Sequence, residues 1–208
     1  MMSTFAIALA SLFLAAAPYT VKDYQHLIGM KGFSDQLLTM HFKLYEGYVK
    51  NTNDLIGQLQ STSLTPLEYG ALKRRLGWEF DGMRLHEYYF DNLGGNGQSD
   101  QKSPLFQTLT KQWGSFDKWK ADFIKTGSMR GIGWVVLYRD PQTGLLYNAW
   151  IEEHDTGHLA GANPILVMDV FEHAYMPQYG LDRAAYINAF FANLNWKTVE
   201  ERFVKRPH

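Results

Sequence analysis

Two long stretches of helical periodicity lie back to back in this chain, and together they limit its fold more than any other feature. From Phe33 to about Ile56 the residues Leu37, Leu38, His41, Leu44, Tyr45, Tyr48 and Val49 recur at helical spacing. Ser34 is placed to cap that helix. A second pattern opens with Thr65 as cap and Pro66 in the first turn, then runs through "DGMRLHEYYFDNL" to a stop at Gly94-Gly95. Joined by a short polar turn, the two predict an antiparallel hairpin of long helices.

After the hairpin the pattern changes. "GGNGQSDQKSP" (94–104) is the strongest internal boundary, and two shorter helices follow around 104–113 and 115–127. "GWVVLYRD" (133–140), "PQTG" (141–144) and "LLYNAWIEE" (145–153) read as a β-hairpin. "PILVMDVF" is a third strand, and "DRAAYINAFFANLNW" a closing helix. The class is α+β: a helical-hairpin domain over 18–99, then a mixed α/β domain over 100–208 with a three-stranded antiparallel sheet. Residues 1–17 stand apart. "FAIALASLFLAAA" (5–17) is too short for a bilayer span, which takes roughly 20 residues, and reads either as an export leader or as an extra docked helix. The chain is accordingly expected to be exported or cytoplasmic, with no membrane span.

A net charge of −1 argues against nucleic acid as a partner. Without a cysteine there is no thiol ligand or nucleophile, so any metal site must use histidine and carboxylate. Of the seven histidines, His26 and His208 lie in polar terminal settings and read as solvated. His41 and Tyr48 are seven residues apart, two helical turns, and share a face. His86 lies deep in the second helix, and "MDVFEHAYMPQYG" (168–180) offers Asp169 and His173. A lone histidine on such a face is more often a hydrogen-bonded core residue. Two facing helices plus a third segment can instead assemble a set of three histidines and one carboxylate, suited to a redox-active first-row metal.

Several segments resemble the iron/manganese superoxide dismutase family. "DVFEHAYMPQY" is similar to its D-x-W-E-H-A-Y signature, with Phe171 for the tryptophan. "RLHEYYF", "YVKNTNDLI", "GIGWVVL" and the closing helix resemble other family segments, and the likeness covers roughly residues 18–200. The resemblance implies one iron or manganese ion per chain, with iron slightly favoured, held by His41, His86, Asp169 and His173, and superoxide as substrate. It further implies that Tyr48 and His154 relay protons and that Arg183, helped by Lys43, attracts the anion. His154 stands where relatives carry a glutamine or, in some members, a histidine, and Gly82 rules out the alternative glutamine on the helix. His158 is expected to brace the loop.

Two departures matter. The family's first histidine precedes the gateway tyrosine by eight residues, which here is Met40; His41 is seven before Tyr48, and its use would involve a local change in helical winding relative to relatives. Glu172 and Tyr175 match residues that link the family's dimers, but Leu44 stands where the partner histidine is due, so a homodimer or a monomer is open. Two rival readings remain: a dismutase-fold protein with a lost site serving a structural or binding role, and an oxygenase-type iron enzyme, which the crowding by Tyr45, Tyr48, Tyr88, Tyr89 and Phe90 disfavours.

Overall fold

The computed structural model describes residues 17–205. The hydrophobic N-terminal segment (except Ala17) and His208 lie outside the described residues. Helix α1 spans Asp35–Gln58 and is capped by Ser34, whose Oγ accepts from Leu37 N–H at 3.2 Å. Helix α2 spans Pro66–Asp91 and starts with a reciprocal cap: Thr65 Oγ1 accepts from Glu68 N–H, while the Glu68 carboxylate accepts from Thr65 N–H at 2.8 Å. The two helices pack along each other as the predicted hairpin.

α2 stops at Asp91, short of the Gly94-Gly95 stop read from the sequence. Asn92 leaves the helix because both its ends are used elsewhere: its side-chain amide donates to Val167 O, and its carbonyl accepts from Asn195 N–H, each at 2.7 Å. Gly95 does serve the turn, since a Cβ there would meet the Leu194 carbonyl oxygen at 2.1 Å. These contacts fasten the hairpin to the second half.

Helices α3 (Pro104–Trp113) and α4 (Phe116–Gly127) precede strands β1 (Gly133–Arg139), β2 (Leu146–Glu152) and β3 (Asn163–Asp169). All pairings are antiparallel and the order is β2-β1-β3. β1 is central and buried from Gly133 through Tyr138, which explains its unbroken apolar run. α4 packs against β1 and β2, and α2 against β3, so the sheet lies directly behind the hairpin. Register places Trp134 opposite both Ile151 and Asp169.

β3 ends at Asp169, two residues before the sequence reading, because the chain turns there into a 3-10 turn at Glu172–Ala174 and the short helix α5 (Met176–Tyr179). The single closing helix is in fact two, α6 (Arg183–Ala192) and α7 (Trp196–Val204). The break falls where Asn193 Nδ2 donates to Lys31 O and Ala189 O, and where Asn195 N–H is drawn to Asn92. After it α7 can lie against β3. Among the described residues, no helix is long and apolar enough to cross a membrane.

Candidate metal centre

Four side chains from three parts of the chain converge between the hairpin and the sheet. His41 comes from α1, His86 from α2, Asp169 from the last position of β3 and His173 from the turn after it. One donor atom from each lies within 4.8 Å of all the others. Asp169 Oδ2 is the common neighbour: His41 Nε2 is 3.1 Å away, His173 Nε2 3.2 Å and His86 Nε2 3.7 Å. Asp169 Oδ1 is oriented by Phe171 N–H at 2.8 Å, and its main-chain carbonyl accepts from Tyr186 O–H at 2.6 Å.

His86 shows best what the cluster is built to hold. Its Nδ1 lies 2.6 Å from Gly82 O. A carbonyl only accepts, so Nδ1 carries the proton and Nε2 presents a lone pair. That nitrogen is buried and has no hydrogen-bond partner among the described residues. It therefore faces an acceptor oxygen lone pair to lone pair, which costs roughly 1–3 kcal/mol unless a cation is shared between the two. Burial lowers the His86 pKa well below its usual value, with the neighbouring His41 adding to the effect. Burial also lowers His41, against its hydrogen bond to Asp169. For Asp169, burial alone would raise the carboxyl, but His173 and His41 outweigh it and hold the group well below the carboxylate range. Two neutral imidazoles beside an anionic carboxylate form a donor set for a hard to borderline divalent or trivalent ion. The residues present fit iron or manganese.

His41 reaches the cluster from a regular helix. α1 is α-helical without interruption from Asp35 to Gln58, so the seven-residue spacing to Tyr48 is carried by ordinary helical geometry. Met40 points outward and is 37% exposed.

Around the four lies a shell whose hydrogen-bond polarity is fixed. Trp134 Nε1, which can only donate, lies 3.1 Å from His154 Nδ1. Burial holds the His154 pKa down at about 4, so the ring is neutral and carries its proton on Nε2. That N–H donates to Tyr48 Oη at 2.7 Å, leaving the Tyr48 hydroxyl hydrogen free for another acceptor. Tyr48 stacks on His86 at 5.1 Å and 29° between planes. Its pKa is pushed up to about 12, by burial first and then by the charge of Asp169. Gly82 makes the stacking possible, since a Cβ there would lie 2.6 Å from the Tyr48 ring. Phe171 is sandwiched between His154 (4.6 Å, 25°) and His173 (5.2 Å, 23°), joining shell to cluster.

The structure thus brings Tyr48 and His154 against the cluster. Arg183 is placed otherwise. Its guanidinium donates to the carbonyls of Met129 (2.7 Å) and Gly131 (3.0 Å) and to Tyr175 Oη at 3.0 Å, tying the start of α6 to the loop before β1. Lys43 is exposed and paired with Glu46. His158 does brace the loop, donating to the carbonyl of His154, and His26 is exposed. Trp134 and Tyr186 were missed as hydrogen-bond donors to the site. The one sequence signal for Trp134 was its place in the "GIGW" strand.

Comparison with known proteins gives the same family. The family model for the C-terminal domain of iron/manganese superoxide dismutases matches residues 101–202. A protein named superoxide dismutase [Fe] from Cupriavidus metallidurans is 34% identical over 84% of this chain and 90% of its own length. One of the same name from Saccharolobus solfataricus is 33% identical over 92% of this chain and 93% of its own. Superoxide dismutase [Mn] 1 from Halobacterium salinarum is 32% identical over 82% and 86%. With its cluster of three histidines and an aspartate, the chain belongs to the iron/manganese superoxide dismutase family.

Proposed function

We propose that the chain dismutes superoxide at one iron or manganese ion held by His41, His86, Asp169 and His173. The observation that carries this is the buried His86 Nε2, without a hydrogen-bond partner among the described residues, facing Asp169 Oδ2 at 3.7 Å in a chain of this family. The bound ion supplies a one-electron couple, so that two superoxide anions and two protons become one dioxygen and one hydrogen peroxide. The chain's own residues select charge and deliver protons. Asp169 offsets part of the ion's charge, and the neutral imidazoles leave the centre net positive and attractive to a small anion. Tyr48, protonated at neutral pH because its pKa lies at about 12, gives its free hydroxyl hydrogen to the reduced substrate. The phenolate oxygen then keeps the hydrogen bond from His154 Nε2–H until solvent at the half-buried Tyr48 restores the proton. Arg183 contributes long-range positive potential while holding its loop.

The reading extends to a homodimer through Glu172 and Tyr175. Glu172 is exposed, and His173 keeps 21% of its side chain open, within reach of an acid from a second copy. Leu44, 39% exposed, adds apolar contact where the family has a histidine. Sedimentation of wild-type protein and Glu172→Ala decides this, and a fully active monomer sinks it.

The experiment for the activity is reconstitution with iron and with manganese separately, followed by metal analysis and direct measurement of superoxide decay. Catalytic decay with either ion is expected. Stoichiometric metal without dismutation overturns the proposal, and failure to bind either metal favours a structural or binding role.

A further inference from the structure

The proton path just described depends on where His154 is held, and its seat is unusual. His154 sits at the tip of a tight turn closed by the bridge between Glu152 and Thr156. Glu153, just before it, adopts φ +53°, a region that residues other than glycine mostly avoid. Such a tip needs outside support to hold a side chain within hydrogen-bond tolerance of Tyr48. The support comes from His158, whose Nε2 lies 2.8 Å from the His154 carbonyl oxygen. Because that oxygen only accepts, His158 carries its proton on Nε2, and its Nδ1 accepts from Tyr138 O–H at 2.7 Å. Tyr138 is buried on the central strand, so the brace is rooted in the sheet. Asp81 Oδ2 lies 3.6 Å from the same Nε2, and Asp81 immediately precedes Gly82, on which Tyr48 rests. One imidazole therefore links β1, α2 and the turn carrying His154, without touching the metal cluster itself.

We propose that His158 is a positioning residue for the His154–Tyr48 pair, acting through the main-chain carbonyl of His154. The proposal rests on the reading that this pair delivers protons. On that reading the pair acts after superoxide has been captured, so displacing it acts on turnover rather than on encounter. A displaced pair therefore lowers kcat more than kcat/KM.

The test uses the full chain loaded with iron or manganese, as His158→Ala, His158→Gln and Tyr138→Phe. In His158→Ala, kcat should fall about tenfold with kcat/KM within about twofold and metal content unchanged. The crystal structure of the same variant should lengthen the His154 Nε2 to Tyr48 Oη separation beyond its present 2.7 Å. His158→Gln, whose amide N–H can reach the same carbonyl, should restore most of the kcat. Tyr138→Phe, which keeps the buried ring and removes only the hydroxyl, should show a smaller loss of the same kind, and it stands in if the alanine variant does not fold. An unmoved pair in the variant crystals, an unchanged kcat, or a glutamine variant as damaged as the alanine one overturns the proposal. If the metal-loaded wild type does not consume superoxide, the functional reading fails separately, and the crystallographic separation still decides whether His158 positions the pair.

Discussion

Replacing Gly82 with alanine loads the centre at its tightest point outside the metal-binding set. The new Cβ would lie 2.6 Å from Tyr48 Cδ1 and 2.8 Å from Cε1, where ordinary contact begins at 3.4 Å. Going from 2.6 to 3.4 Å, the ring must retreat by about 0.8 Å or the helices must part. It has little room, being stacked on His86 and set edge-on to His154 at 4.8 Å. Withdrawal by that distance stretches the 2.7 Å bond from His154 Nε2 to roughly the limit of hydrogen bonding. Advance by the same distance pushes His154 off Trp134 instead. Overpacking costs about 1–3 kcal/mol, and better helix propensity returns about 1, so the net loss is about 0–2 kcal/mol and Tm falls by roughly 0–8 °C. Metal content should not change, because the contact from His86 Nδ1–H goes to a main-chain carbonyl that alanine keeps. Turnover should drop about 10- to 100-fold, since a displacement near an ångström disturbs proton transfer strongly. Stopped-flow superoxide decay, metal analysis and a crystal structure of the variant check this. Wild-type turnover, or a Tyr48 ring that has not moved, refutes the reasoning.

Other outcomes follow from the same geometry. His86→Ala removes the lone pair opposite Asp169, and affinity for iron or manganese, measured by chelator competition, should fall by more than about 100-fold, beyond what loss of an outer partner costs. The metal-free protein should lose stability as pH drops from 6.5 toward about 4. Burial depresses the folded pKa of His154 to about 4, so across that window the unfolded chain takes up a proton that the folded state refuses. Each such histidine removes up to about 1.4 kcal/mol per pH unit, and His41 and His86 are shifted the same way. Asp169 is shifted down, so its stabilising contribution is present above the usual carboxylate pKa and is lost only at lower pH, outside this window. Urea unfolding at several pH values tests this, and a flat profile contradicts it. Glu153→Gly relieves a left-handed residue and should raise Tm by about 1–4 °C in calorimetry, the gain trimmed by glycine's larger chain entropy. A lower Tm would mean that the Glu153 side chain itself stabilises the turn.

The helices were legible because their signals are local. Ser34, Thr65, Pro66 and Glu68 act within one turn of the residues they cap, so sequence neighbours are spatial neighbours. The break after Ala192 was not legible, since it is made by Lys31 and Asn92, far away in the chain. The site divides the same way. Helical periodicity put His41 and His86 on inward faces, while their part in the ligand set and the place of His154 followed from family resemblance. The donors that orient the site were hidden, because Trp134 is 20 residues from His154 and Tyr186 is 17 from Asp169. Their polarity depends on which atom faces which, and spacing does not encode that.

Two oddities of the sequence meet at a single ring. Seven residues on a regular α-helix fall about 20° short of two full turns, so His41 and Tyr48 project from nearly one line. The structure uses that alignment in two ways at once. His41 meets the His86 ring edge-on, at 5.0 Å and 86°, while Tyr48 lies flat against it at 5.1 Å and 29°. The flat approach brings Tyr48 onto the backbone of α2, at Gly82, a position without a side chain. Gly82 thus has two tasks, a carbonyl that fixes the His86 tautomer and an empty Cβ position that admits Tyr48. A side chain there could not stand without moving Tyr48, and the space beside the Tyr48 hydroxyl is filled from the sheet side. His154 occupies that place, bonded to Tyr48 and held by Trp134. The seven-residue spacing, the glycine and the histidine are therefore parts of one packing solution around His86.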